Sequence, residues 1–219
     1  MKIKVKGAII PNNDKYIYEH FNQESTCPSD IEKALDKAEG KDVTIKINSG
    51  GGDVFSGSEI YSLIKGYKGK VEVEIIGIAA SAASVIAMSR SIVKVSPTAQ
   101  LMIHNAYVTT QGDYRDMEHT AATLKEVNKS ISKAYSRKTK KTQEELLSLM
   151  DNETRMSADS ALEHRFIDEI MFESPIYSND KGHLLPDSIV NTFKNDDIKY
   201  RNSLREVELL KIELLKRRN

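Results

Sequence analysis

Apolar and polar positions change their period several times along the chain. "VTIKI" (43–47) and "VEVEII" (71–76) are β-branched and alternating, which predicts two strands. Between them Val54, Ile60, Tyr61, Ile64 and Tyr67 recur at helical spacing. "GIAASAASVIAMS" (77–89) carries small residues, three serines and no charge, and predicts a buried helix. "SIVKV" (91–95) and "QLMIH" (100–104) predict short strands around Pro97. A long helix over 113–138 follows, with Met117, Ala121, Leu124, Asn128, Ile131 and Tyr135 on one face. Thr142 and Glu145 spell a capping box for "TQEELLSLM", Ser157 is placed to cap "ADSALEH", and "FIDEIMF" (166–172) returns to strand. Strands separated by helices predict an α/β domain over 1–172 with a largely parallel sheet. Beyond Phe172 the pattern changes. Residues 173–197 read as a linker or irregular arm. Residues 198–219 read as a charged amphipathic helix with Leu204, Val207, Leu210 and Leu214 in one stripe.

Composition narrows the picture. The 219 residues carry 32 Lys and Arg against 32 Asp and Glu, so no global field attracts nucleic acid or an anionic membrane. The basic residues of 125–141 lack interleaved aromatics, which also argues against nucleic acid. The single cysteine, Cys27, forms no intrachain disulfide, which fits a reducing compartment. "MKIKVKGAII" lacks the apolar run of a signal peptide, and no apolar run approaches the roughly 20 residues that span a bilayer. A soluble, cytoplasmic protein is the expectation. His20, His119 and His164 have no metal-ligand spacing, and no metal or organic cofactor is expected.

Three stretches carry candidate chemistry. "INSGGGDVFSG" is a strand, a glycine turn and a helix; without Gly-Lys-Ser/Thr it is not a phosphate loop. Its glycines are either a tight turn or a set of unscreened amides facing a ligand or a developing oxyanion. Asp53 reads as a cap of the following helix. The serines of "AASAAS" either ease close packing or include a nucleophile. His104, at the end of "QLMIH", falls where sites collect in parallel sheets, and histidine is a residue type that activates a serine hydroxyl as general base. "MDNETRMSA" supplies two candidate acids, Asp151 and Glu153.

"INSGGGDVFSGSEIY", "GIAASAASVIAMS", "LMIHNA" and "MDNETRMSADSALEHRFIDEI" together resemble the Clp protease proteolytic-subunit family, most closely its phage head maturation branch. The resemblance spans about residues 43–170. It implies the spiral ββα fold shared with the crotonases, with the long helix as a handle between rings; the C-terminal helical tail rests on the apolar stripe alone. It implies a serine endopeptidase with Ser81 as nucleophile, His104 as base, Glu153 as third member with Asp151 as the alternative, and the amides of Gly51 and Ala82 as oxyanion donors. It also implies polypeptide substrates, capsid or scaffold proteins in the phage branch, and a homo-oligomer, typically a heptameric ring or double ring. Gly50 stands where the family commonly has proline, Glu153 where it has aspartate, and Arg155 where the phage branch has an aromatic. "MKIKVKGAII" does not resemble the loop that meets an AAA+ unfoldase. Two rivals remain: a crotonase-like acyl-CoA enzyme, and a structural ring protein with a degenerate site.

Overall fold

The computed structural model describes residues 1–90 and 92–172; the expected linker and C-terminal helix lie outside the described residues. In chain order the elements are β1 (Lys2–Ile9), α1 (Lys15–His20), β2 (Ser25–Thr26), α2 (Pro28–Ala38), β3 (Val43–Gly52) and α3 (Val54–Gly66). There follow β4 (Val71–Ala80), α4 (Ala82–Ala87), β5 (Val93–Val95), β6 (Gln100–Met102) and α5 (Tyr114–Thr139). The last are α6 (Gln143–Asp151), β7 (Arg155–Met156), α7 (Ala158–Glu163) and β8 (Glu169–Ile170). This is the expected α/β class. Strand order is β2-β1-β3-β4-β5-β8, with β6 joining β4 and β7 joining β6. All pairings are parallel except β6 with β7.

Alternation along the strands sorts the two faces. Ile45, Ile47, Val73, Ile75, Val93 and Val95 are fully buried and form the core with helices from both halves of the domain. The intervening residues make a ladder of cross-strand ion pairs, Lys46–Glu74 at 2.9 Å, Lys94–Glu72 at 3.2 Å and Lys94–Glu169 at 3.1 Å. That ladder accounts for the polar half of "VEVE".

β4 forks the sheet. Its first half, Val73 to Ile75, pairs with β5, and its second half, Ile78 to Ala80, pairs with β6. Three expectations are corrected here. The small-residue segment is not one helix, because Gly77–Ala80 continue β4 and only Ala82–Ala87 are helical. The glycine stretch is not a free turn, because it completes β3, pairing Gly51 with Ala8 and Gly52 with Ile9. "FIDEIMF" shrinks to the two residues of β8, since Phe166 and Ile167 serve as buried core instead.

The helix caps follow the sequence signals. Asp53 Oδ1 accepts the Ser56 N–H at 2.7 Å, and Thr142 and Glu145 form the reciprocal box. α5 divides into two parts. Ile131, Ala134 and Tyr135 in its second half are buried, whereas Tyr114 and Met117 in its first half are 71% and 40% exposed. Among the described residues no helix is long and apolar enough to cross a membrane.

Candidate active site

β3 ends against the turn that follows β4, and glycine is what lets the two backbones meet. A Cβ on Gly51 would lie 2.6 Å from Ser81 Cβ and 2.7 Å from the Ala80 carbonyl oxygen, and Gly51 has φ of 98°. Two polar side chains hold this end of β3. The Asn48 Oδ1 accepts the Ile78 N–H at 3.2 Å, bridging the register shift between Ile47 and Ser49. The Ser49 hydroxyl donates to the Gly7 carbonyl at 2.6 Å and accepts the Gly51 N–H at 3.1 Å.

That last bond bears on the expected oxyanion donors. The Gly51 amide is turned toward β1 and is committed to Ser49. The next amide faces the other way. Ile9 pairs with Gly52 and its carbonyl accepts the Asp53 N–H at 2.8 Å, so Gly52's own N–H points away from β1. Gly50 and Gly52, not Gly51, line the cleft at Ser81. The expectation for Gly51 therefore moves by one residue, because strand alternation rather than a loose turn decides where each amide points.

Ser81 sits between β4 and α4 with φ of 55° and ψ of −127°. For a non-glycine residue this conformation costs about 1–3 kcal/mol. Hydrogen bonds on both sides hold it. Its N–H donates to the Met102 carbonyl at 3.0 Å, and its carbonyl accepts from the Ser84 N–H at 2.9 Å and the Ser84 hydroxyl at 2.6 Å. The Ser84 oxygen lies 2.8 Å from the Tyr135 hydroxyl. Since the one Ser84 proton goes to the Ser81 carbonyl, Tyr135 donates to Ser84. Both residues are buried, at 0% and 1% exposure, and burial raises the Tyr135 phenol well above its ordinary range. The relay Tyr135–Ser84–Ser81 thus ties the serine turn to α5. Ala82, the first residue of α4, has an N–H without an acceptor inside the helix, and it lines the same cleft.

His104 follows the end of β6. It lines the cleft of about 410 Å³ that contains Ser81, Ala82 and Gly52. It also lines a second cleft of about 320 Å³ that contains Asp151 and Glu153. His104 thus borders both the cleft of Ser81 and that of the two acids. Its ring packs against Tyr107, with centroids 5.9 Å apart, and Asn128 of α5 accepts the Ala106 N–H at 2.8 Å, anchoring the loop. The two acids differ. Asp151 accepts a hydrogen bond from the Asn105 amide at 2.7 Å. Glu153, exposed and with φ of 46°, has no side-chain partner among the described residues. Ser81 and His104 are likewise not hydrogen-bonded to one another, an open arrangement; such contacts often tighten only around substrate. No group of three or more potential metal ligands occurs among the described residues.

Sequence reasoning did not single out Ser49, Ser84 or Tyr135 for the site. Ser84 was visible only as a packing residue or a rival nucleophile, and Tyr135 as one position on a helical face. Their roles depend on a contact across 51 residues that no local spacing announces.

Residues 31–174 match the family model described as Clp protease. The chain is also 30% identical over 164 residues to the ATP-dependent Clp protease proteolytic subunit 1 of Corynebacterium efficiens, covering 72% of this chain and 79% of that protein.

Proposed function

The chain belongs to the Clp protease family, and from that premise we propose that it is a serine endopeptidase using Ser81, His104 and Glu153. The observation that carries the reading is Ser81 at a strained strand-to-helix turn, in one cleft with His104 and the glycine end of β3. His104 takes the hydroxyl proton as Ser81 Oγ attacks the peptide carbonyl. The N–H groups of Gly52 and Ala82 receive the oxyanion; losing one such donor typically costs about 10²–10³ in rate. His104 then protonates the leaving amine, and the acyl-enzyme is hydrolysed by a water that His104 deprotonates. Glu153 orients the imidazole and offsets its positive charge. It is preferred to Asp151 because the Asp151 carboxylate is already engaged by Asn105.

The same reading has the protein act as a homo-oligomer, a heptameric ring or a face-to-face pair of rings. The exposed apolar residues on the first half of α5 support it. Within the family, the stretch "SAASVIAMS" and the Glu153-Thr154 pair favour the phage maturation branch, with capsid or scaffold polypeptides as substrates in the host cytoplasm. The alternative is a subunit fed by an ATP-driven unfoldase; the corynebacterial relative is named an ATP-dependent Clp protease proteolytic subunit. Degradation of a folded substrate only with an added unfoldase and ATP would favour the alternative.

The test is to treat purified oligomer, sized by native mass spectrometry, with a fluorophosphonate and map the adduct. One adduct on Ser81, lost in Ser81→Ala, is expected. A second reading, a ring protein with a silent site, draws on the open arrangement of Ser81 and His104. It predicts assembled rings that take no label, and that result would refute the peptidase reading.

A further inference from the structure

We propose that Arg155 makes this protein selective for peptides that carry a carboxylate side chain beside the scissile bond. The inference rests on the peptidase reading. The cleft around Ser81 is walled by Val85, Met102, Ile131 and Tyr135, which suit an apolar or aliphatic side chain. Besides His104, two charged residues line it, Asp53 and Arg155. Asp53 is occupied. Its Oδ1 accepts the Ser56 N–H at 2.7 Å and the Ser56 hydroxyl at 2.6 Å as the cap of α3. Arg155 is different. It is exposed, and among the described residues its guanidinium has neither an ion pair nor a hydrogen bond.

The root of the side chain is well placed. Arg155 pairs with Met102 across β6 and β7, and the Met102 carbonyl accepts the Ser81 N–H at 3.0 Å. One strand therefore separates the Arg155 backbone from the serine turn. A guanidinium offers a flat fork of donors that matches a carboxylate, and aspartate or glutamate in a peptide is ionised at neutral pH. A substrate carboxylate in the cleft gains a partner that no group among the described residues already holds. A substrate lysine there meets a like charge instead. Because the pair forms at an open rim, the selectivity is modest, about two- to tenfold in kcat/KM.

The experiment uses assembled protein and matched fluorogenic peptides that differ at one residue: Asp against Asn, Glu against Gln, and Lys. The variable residue is placed at each of the two positions on the acyl side of the cleaved bond and the first on the amine side. At one of these positions the acid should be preferred over its amide. The ratio should fall toward one in Arg155→Gln and invert in favour of Lys in Arg155→Glu. In the unmutated protein the preference should shrink between about 0.05 M and about 1 M salt, a readout that decides the matter even where a variant does not fold. Hydrolysis with no acid preference at any position overturns this inference alone. So does a preference that survives both substitutions or is untouched by salt. Hydrolysis of none of the peptides overturns the peptidase reading together with it.

Discussion

Breaking the Tyr135–Ser84–Ser81 relay one member at a time should give costs that do not add. Tyr135→Phe removes the donor to Ser84 but leaves Ser84 donating to the Ser81 carbonyl, so one net hydrogen bond is lost, about 1 kcal/mol. Ser84→Ala removes two bonds and strands the Tyr135 hydroxyl at 1% exposure, where an unsatisfied donor costs about 1–3 kcal/mol. The Ser81 carbonyl itself keeps the Ser84 N–H at 2.9 Å, so its own loss is partial. The double variant strands nothing. It should therefore be about 1–2 kcal/mol more stable than the sum of the single losses predicts. The measurement is a double-mutant cycle from urea denaturation at fixed protein concentration, with the rate of fluorophosphonate labelling recorded alongside. Ser84→Ala should also slow labelling more than Tyr135→Phe, because only the first removes a hydrogen bond from the strained Ser81 backbone. Stability losses that simply add would show that Tyr135 and Ser84 are near neighbours without an energetic link.

The same tyrosine gives a pH prediction. Its phenol has a pKa raised by burial above the ordinary value of 10.0, so the folded state disfavours ionisation. Its share of stability is complete below that value and is lost as pH rises through it, so unfolding curves for Tyr135→Phe should fall less steeply above about pH 10 than those of the unmutated protein. Gly51→Ala should abolish labelling and lower the unfolding midpoint, since its Cβ would lie 2.6 Å from Ser81 Cβ at a φ of 98°; labelling at the normal rate would mean that β3 does not press on the serine turn. Glu153→Gln should lower kcat by at least about 10² while Asp151→Asn changes it only a few-fold; the reverse order would reassign the third member to Asp151.

The long-period features were legible in the sequence because each is written locally. α5, α6 and α7 announce themselves through caps and apolar spacing, and β4 through strict alternation. The boundary at Ala80 was not legible. Small residues satisfy a helix and a strand equally, and what decides is pairing of Ile78–Ala80 with β6, a partner some 20 residues away. β1 was not predicted, although "KIKVKGAI" alternates, and its assignment rests on pairing with β3. In the site, Ser81 and His104 stood out by motif. The amide direction at Gly51 and Gly52 did not, since it is set by which neighbour each peptide plane bonds. Arg155 was visible only as an unusual residue for its position; its place beside the cleft came from β7.

α5 has one end gripping the serine turn through Tyr135 and another whose Tyr114 and Met117 remain in water. A rigid rod of 26 residues joins two such ends without a joint between them. Whatever buries the outer end and shifts the rod also pulls on the serine backbone, and thermodynamic reciprocity makes the traffic two-way. A reversible ligand in the Ser81 cleft would then alter the affinity of whatever docks on the outer end by the same factor by which docking alters the ligand's binding. In that sense the helix would make occupancy of the cleft a term in the free energy of any assembly through its outer end, measurable from the concentration at which labelled and unlabelled subunits come together.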